Sequence, residues 1–221
     1  MPRQTFEREL QHLQDEVLTL GSMVEKAITG SVEALKRGDQ EAARQIVADD
    51  LRINRKRFDI EEECIQLVAT QQPMASDLRA IVAALHIIVD LERMADHAEG
   101  IARIAIMMGG ELPLKPLIDI PRMADKAVEM LRRSLVAFIN RDVEEARRIC
   151  EEDDLVDGLY DQIYRELLTY MLQDPRNITR ATYLLWVAHN LERIADRATN
   201  ICERAVFLAT GKMEELDVSK Y

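Results

Sequence analysis

Asp90-Leu-Glu-Arg-Met-Ala-Asp96 and Asn190-Leu-Glu-Arg-Ile-Ala-Asp196 are nearly the same heptapeptide, written twice at an offset of 100. The offset holds at Ala98/Ala198 and Ile101/Ile201. Upstream, Met23, Lys26 and Ala27 match Met123, Lys126 and Ala127. Between these blocks, Asp39, Glu41, Ala43, Arg44, Ile46 and Asp50 match Asp142, Glu144, Ala146, Arg147, Ile149 and Asp153 at an offset of 103. Pro73 pairs with Pro175. The offset changes only where turns fall, as small loop insertions require. A repeat this long implies two like-folded units.

Each copy carries three helical segments. The first copy places them at about 5–37, 40–72 and from 76 or 77 to the Gly109-Gly110 stop. Gly38-Asp39 breaks the first pair, and Asp39 is placed to cap the second helix. Pro73 ends that helix, because proline cannot continue the hydrogen-bond ladder. On the third helix Ile81, Ala84, Leu85, Ile88, Leu91, Ala95, Ala98, Ala102 and Ala105 form a one-sided apolar stripe. The second copy reads 122–140, 143–173 and 177–210, with Asp142 as cap and Pro175 as separator. Three prolines, Pro113, Pro116 and Pro121, stiffen the segment between the copies. The expected organisation is a first repeat at 1–110, a linker at 111–121 and a second repeat at 122–221. Short connections force antiparallel neighbours. The fold class is therefore all-α: two tandem antiparallel three-helix bundles, six long helices, related by a pseudo-twofold.

Composition agrees. The 221 residues are 48% hydrophobic, with only 8 glycines and 6 prolines, and 5% are aromatic. Such a chain favours helices over a sandwich or barrel. The net charge of −11 argues against nucleic acid and against direct binding to anionic lipid. A short basic run, Arg52, Arg55, Lys56 and Arg57, is flanked by Asp49, Asp50 and Asp59 and reads as a solvated helix face. Cys64, Cys150 and Cys202 are widely spaced, without zinc spacing, and read as small buried apolar residues in a reducing compartment. The start carries no signal-peptide pattern, and the uncharged stretches fall short of the ~20 residues a bilayer span needs. A cytoplasmic protein is expected.

The acidic residues need an explanation. Glu92 and Asp96 share a helix face, as do Glu192, Asp196 and Asn200. Asp153, Asp157 and Asp161 form another row four residues apart. Like charges at that spacing destabilise a helix by a few tenths of a kcal/mol. Arginines on the same surface, among them Arg93, Arg103, Arg193 and Arg197, offer one compensation. A cation held between acidic rows on adjacent helices offers another, with hard oxygen ligands suiting Mg²⁺, Mn²⁺, Ca²⁺ or iron. A ferritin-type di-iron bundle needs Glu-x-x-His on two helices, and the one such spacing, Glu9–His12, has no second copy. The histidines do not converge: His86 aligns with Trp186 and reads as core or boundary packing, while His97 and His189 flank the acidic motifs. There is no phosphate-binding loop and no Gly-x-Ser-x-Gly.

Taken together, the two repeats, Gln72-Pro-Met-Ala-Ser-Asp-Leu-Arg79, both heptapeptides and Leu112-Pro-Leu-Lys-Pro116 resemble the PhoU family of bacterial phosphate regulators. The resemblance runs from about Phe6 to Lys212. It implies a cytoplasmic, non-enzymatic regulator that restrains phosphate-starvation signalling when phosphate is plentiful. Implied partners are the phosphate-sensing histidine kinase and the ATPase subunit of the phosphate ABC transporter, with membrane association only through them. A homodimer is also implied. So is a divalent or multinuclear metal, drawn from Fe, Mn, Mg, Ni or Zn, on Glu/Asp-x-x-x-Asp motifs. Carried onto this chain, those motifs fall on Glu92 and Asp96, and on Glu192 and Asp196. Asp153 and Asp157 match the acidic row of the preceding helix, and Asn200 continues the second site. The first copy departs from the pattern. Asp50 is kept, but Asn54 replaces the second acid and Gly100 stands where Asn200 stands; Glu99 is available to substitute. Two other readings stay open at this point: a metal-dependent helical phosphohydrolase, and a metal-binding or metal-free helical adaptor.

Overall fold

The computed structural model describes residues 3–111 and 113–216. Met1 and Pro2 at the start, Leu112 of the linker and the last five residues of the second repeat, 217–221, lie outside the described residues. Six long helices account for nearly all of the rest: α1 (Arg3–Arg37), α2 (Gln40–Gln71), α3 (Ala75–Met107), α4 (Asp119–Asn140), α5 (Val143–Gln173) and α6 (Ile178–Thr210). A short 3-10 turn at Pro175–Asn177 leads into α6. No helix among the described residues is long and apolar enough to cross a membrane.

The expected stop and start signals operate. Asp39 accepts the Ala42 amide at 2.9 Å, and Asp142 accepts the Glu145 amide at 3.0 Å. Each cap satisfies one donor that a helix start leaves unpaired. Before these caps the chain turns through a left-handed residue. In the first repeat this is Gly38 (φ +66°), and in the second it is Arg141 (φ 55°). At the other end of the repeat, α4 starts at Asp119, three residues before the expected Arg122. Pro121 therefore sits inside the first turn, where its missing N–H would have had no partner.

The repeat is visible in what is buried. Ala43, Asp50, Ile53, Ile60 and Cys64 on α2 correspond to Ala146, Asp153, Val156, Ile163 and Leu167 on α5. On α3 and α6 the pairs Ile81/Ala181, Ile88/Ala188, Leu91/Leu191, Ala98/Ala198 and Ala102/Cys202 are all buried. Each repeat forms a three-helix bundle, and the bundles meet through α3 against α6 and α1 against α4. Both sides contribute to one continuous core.

That junction widens the apolar arc of α3. The sequence showed one stripe, yet Ile87, Met94 and Ile101 are fully buried as well. The many alanines on α3 let it pack closely against neighbours on both faces. At the outer junction Gly21 of α1 faces Leu135 of α4, and Arg132 of α4 donates Nε to Glu25 of α1 at 2.7 Å.

Cys64, Cys150 and Cys202 are free and buried, as small apolar residues should be. The basic run on α2 is paired off: Arg52 with Asp49, Arg55 with Asp59, Lys56 with Glu16 and Arg57 with Glu61. One packing expectation fails. His86 is exposed and its counterpart Trp186 keeps 49% of its surface. Both lie one residue before a buried pair, Ile87 and Val187, on the solvent side of the central helices.

Candidate functional site

The predicted ligands fall into two groups, one per repeat, on the paired faces of α2–α3 and α5–α6. In the first group Asp50 of α2 is only 9% exposed. Asn54, one turn on, donates Nδ2 to Asp50 Oδ2 at 2.8 Å. Asp50 Oδ1 and Asn54 Oδ1 are buried without a hydrogen-bond partner. Glu92, half-buried, and Asp96, exposed, face them from α3, with Glu99 following.

The electrostatics of this group are one-sided. Burial holds the Asp50 carboxyl above its ordinary range, and the charges of Glu99, Asp96 and Glu92 push the same way. Glu92 is raised by burial and then by Asp96, against Arg57 and Arg93. Asp96 is raised by burial and then by Glu99, against His97 and Arg93. Glu99 is paired with Arg103 at 2.6 Å. A cavity of about 270 Å³ is lined by Asp50 and Glu99 together with Asp49, Lys26 and Arg52. Glu92 and Asp96 are not part of that lining.

Asp153, Asp157, Glu192, Asp196 and Asn200 all line a single groove of about 1170 Å³ between α5 and α6. Compensation by basic groups is more advanced here. Arg193 lies 2.7 Å from Asp196, and His189 Nδ1 lies 2.9 Å from Glu192 Oε2. Asn200 is drawn to the inter-repeat junction, donating Nδ2 to Asp90 Oδ1 at 3.1 Å. Residues 212–216 fold back beside the groove. Leu216 donates its amide to Glu203 Oε1 at 3.1 Å, Arg147 reaches Glu214 at 3.2 Å, and Met213 and Glu215 join the lining.

These residues fit a hard cation. The first group offers buried oxygens, Asp50 Oδ1 and Asn54 Oδ1, that no group among the described residues hydrogen-bonds, beside carboxylates that repel one another. A bound divalent ion would answer both costs. The second group offers a larger groove, whose lining includes all five of its oxygen-bearing side chains.

Three features escaped the sequence reading. Among the described residues, His12 and Glu16 of α1 and Glu63 of α2 bring one ligating atom each within 4.8 Å of one another, close enough to hold a metal. The sequence reading sets the Glu9–His12 spacing aside for want of a second copy, and the partner on α2 emerges only from the packing. The first residue of each heptapeptide is a junction residue. Asp90 meets Arg197 at 3.4 Å, and Asn190 meets His97 at 2.9 Å. His97 thus points toward α6 and not to the acidic row. The returning tail had no legible signal at all.

Comparison with known proteins places this architecture. The family model described as the PhoU domain matches residues 17–105 and 120–205. The phosphate-specific transport system accessory protein PhoU homolog of Clostridium acetobutylicum is 40% identical over 218 residues, covering 98% of this chain and all of that protein. The homolog from Aquifex aeolicus is 43% identical, covering 93% of each chain. The crystal structure of PhoU from Pseudomonas aeruginosa superposes with a TM-score of 0.88 at 36% identity, covering 94% of this chain and all of that one. The Streptococcus pneumoniae phosphate transport system regulatory protein PhoU gives 0.86 at 33% identity, covering 95% and 99%.

Proposed function

Because this chain belongs to the PhoU family, we propose that it restrains phosphate-starvation signalling by docking between the phosphate ABC transporter and the sensor histidine kinase. The coarser role is regulation of phosphate uptake, which the relatives' names carry across nearly the whole chain. It is a regulator and not a catalyst. The observation that carries the reading is the full-length match to PhoU proteins, repeat for repeat, on a fold whose two bundles share one core.

The acidic groups are the sites we assign to metal. Asp50, Glu92 and Asp96 would hold a cation on the first repeat, supported by the orphaned Asp50 and Asn54 oxygens and the mutual repulsion of the carboxylates. Asp153, Asp157, Glu192, Asp196 and Asn200 would hold one or more on the second, supported by their shared groove. A bound ion would fix α2 on α3 and α5 on α6, so metal would set the shape of the surfaces offered to a partner.

Binding of the purified chain to the kinase and to the transporter ATPase tests the docking. Direct contact with at least one is expected, together with constitutive starvation signalling when the gene is deleted. No contact with either, and an unchanged phosphate response, would remove the proposal. For the metal, Glu192→Ala combined with Asp196→Ala should lower bound Mn²⁺ or Fe²⁺ measured by elemental analysis; unchanged content would remove the second-repeat assignment.

A further inference from the structure

We infer that the first repeat carries a separate divalent transition-metal site at His12, Glu16 and Glu63, where the equivalent glutamate of the second repeat is instead met by a lysine of the linker. His12 and Glu16 are four residues apart on α1 and share a face. Glu63 reaches them from α2, and the three ligating atoms converge within 4.8 Å. None of the three belongs to the acidic rows of α3, α5 or α6.

The duplicated fold supplies the independent argument. Buried positions on α2 and α5 correspond as Ile60 to Ile163 and Cys64 to Leu167. Glu63 therefore corresponds to Glu166. In the second repeat Glu166 is met by the ammonium of Lys115, from the segment ahead of α4. In the first repeat that place is taken by the opening turns of α1. These have no counterpart, since α4 begins only at Asp119, the equivalent of Thr19. Where one repeat supplies a cation to its glutamate, the other supplies an imidazole and more carboxylates.

The charge at this place is out of balance. Glu63 is half-buried and faces Glu16, Glu9, Lys56 and His12. Glu9 Oε2 is itself buried without a partner. One lysine, Lys56, is bound to Glu16 Oε2, leaving Glu16 Oε1 for another partner. Among the described groups that act on Glu63, two further carboxylates, Glu16 and Glu9, stand against one ammonium, Lys56, and the His12 imidazole, an acidic excess that a divalent cation would offset. The imidazole nitrogen selects the class: Zn²⁺, Fe²⁺ or Ni²⁺ over the oxygen-seeking Mg²⁺, Ca²⁺ and Mn²⁺. His12 is exposed, so the ion would keep water on its open side. Binding there would clamp the first turns of α1 to α2.

Zn²⁺ titration of the full chain against a chromophoric chelator, with thermal melting alongside, tests the site. His12→Ala removes an exposed side chain and Glu63→Gln keeps its shape, so both should fold. Each should lose one Zn²⁺ per chain, or bind it at least tenfold more weakly, and should lose the Zn²⁺-dependent rise in melting temperature. Lys56→Met should bind Zn²⁺ more tightly, because the competing ammonium is gone. Glu192→Ala with Asp196→Ala should leave this site unchanged, which separates it from the acidic rows. Zn²⁺ bound by His12→Ala with the stoichiometry and affinity of the unaltered chain would overturn the inference.

Discussion

Asn200 on α6 donates its amide to Asp90 on α3 at 3.1 Å, and the pseudo-twofold does not repeat this contact. The symmetric position to Asn200 is Gly100. A Cβ there would lie 3.1 Å from Asn190 Oδ1, so the close approach of the two central helices favours glycine. Asp90 also draws Arg197, whereas Asn190 draws His97. The junction between the repeats is thus charged on one side of the axis and neutral on the other.

Asp90→Ala should therefore weaken the junction. Burial opposes the Asp90 charge while Asn200 and Arg197 favour it. Removing the carboxylate strands two half-buried donors, at a cost of about 1–3 kcal/mol. Urea denaturation should show a lower midpoint. Asp90→Asn, which copies the other repeat, should cost less.

A second electrostatic link joins α4 to α5. Arg133 donates Nη1 to Glu152 and Nε to Glu145, each at 2.7 Å, and Lys126 also reaches Glu152. The Arg133 bond holds the Glu152 carboxyl below its ordinary range. A depressed carboxylate contributes stability that is present above its unfolded pKa and lost as pH falls through the folded one. Glu152→Gln should cost about 1 kcal/mol at neutral pH. The difference from the unaltered chain should shrink as pH drops below about 4, the ordinary carboxylate value, in denaturation curves measured across pH.

Arg141 holds a left-handed conformation that its counterpart Gly38 adopts freely. A side chain there costs roughly 1 kcal/mol. Arg141→Gly should raise stability by up to about that amount, less the added chain entropy of glycine. Gly38→Ala should lower it, because its Cβ would also come within 3.1 Å of the Gly110 carbonyl oxygen. Paired thermal melts of the two variants check both signs.

The thiol of Cys64 should resist alkylation in the native protein. Burial pushes it up to about 12, with Glu63 and Glu61 adding to the effect. The thiolate is the reactive form, so mass spectrometry after iodoacetamide at pH 8 should find Cys64 unmodified until denaturant is added. Rapid native labelling would show that α2 opens locally.

The heptapeptide repeat, the Asp39 and Asp142 caps and the Pro73 and Pro175 breaks are local signals. They depend on helix periodicity and chain geometry within a few residues, and so the six helices and their duplication were legible in the sequence. The acidic rows were legible for the same reason, since residues four apart on a helix share a face in any context. What they face was not. Whether His97 turns to the acids or to Asn190, whether Asn200 meets Asp90, and whether Glu63 finds His12 all depend on contacts between segments far apart in the chain. The second buried face of α3, with Ile87, Met94 and Ile101, was left open likewise, because an apolar residue outside the main stripe is buried only if a distant helix covers it. Those outcomes were decided by how two copies of one bundle pack, and by the extra turns of α1 that the second copy lacks.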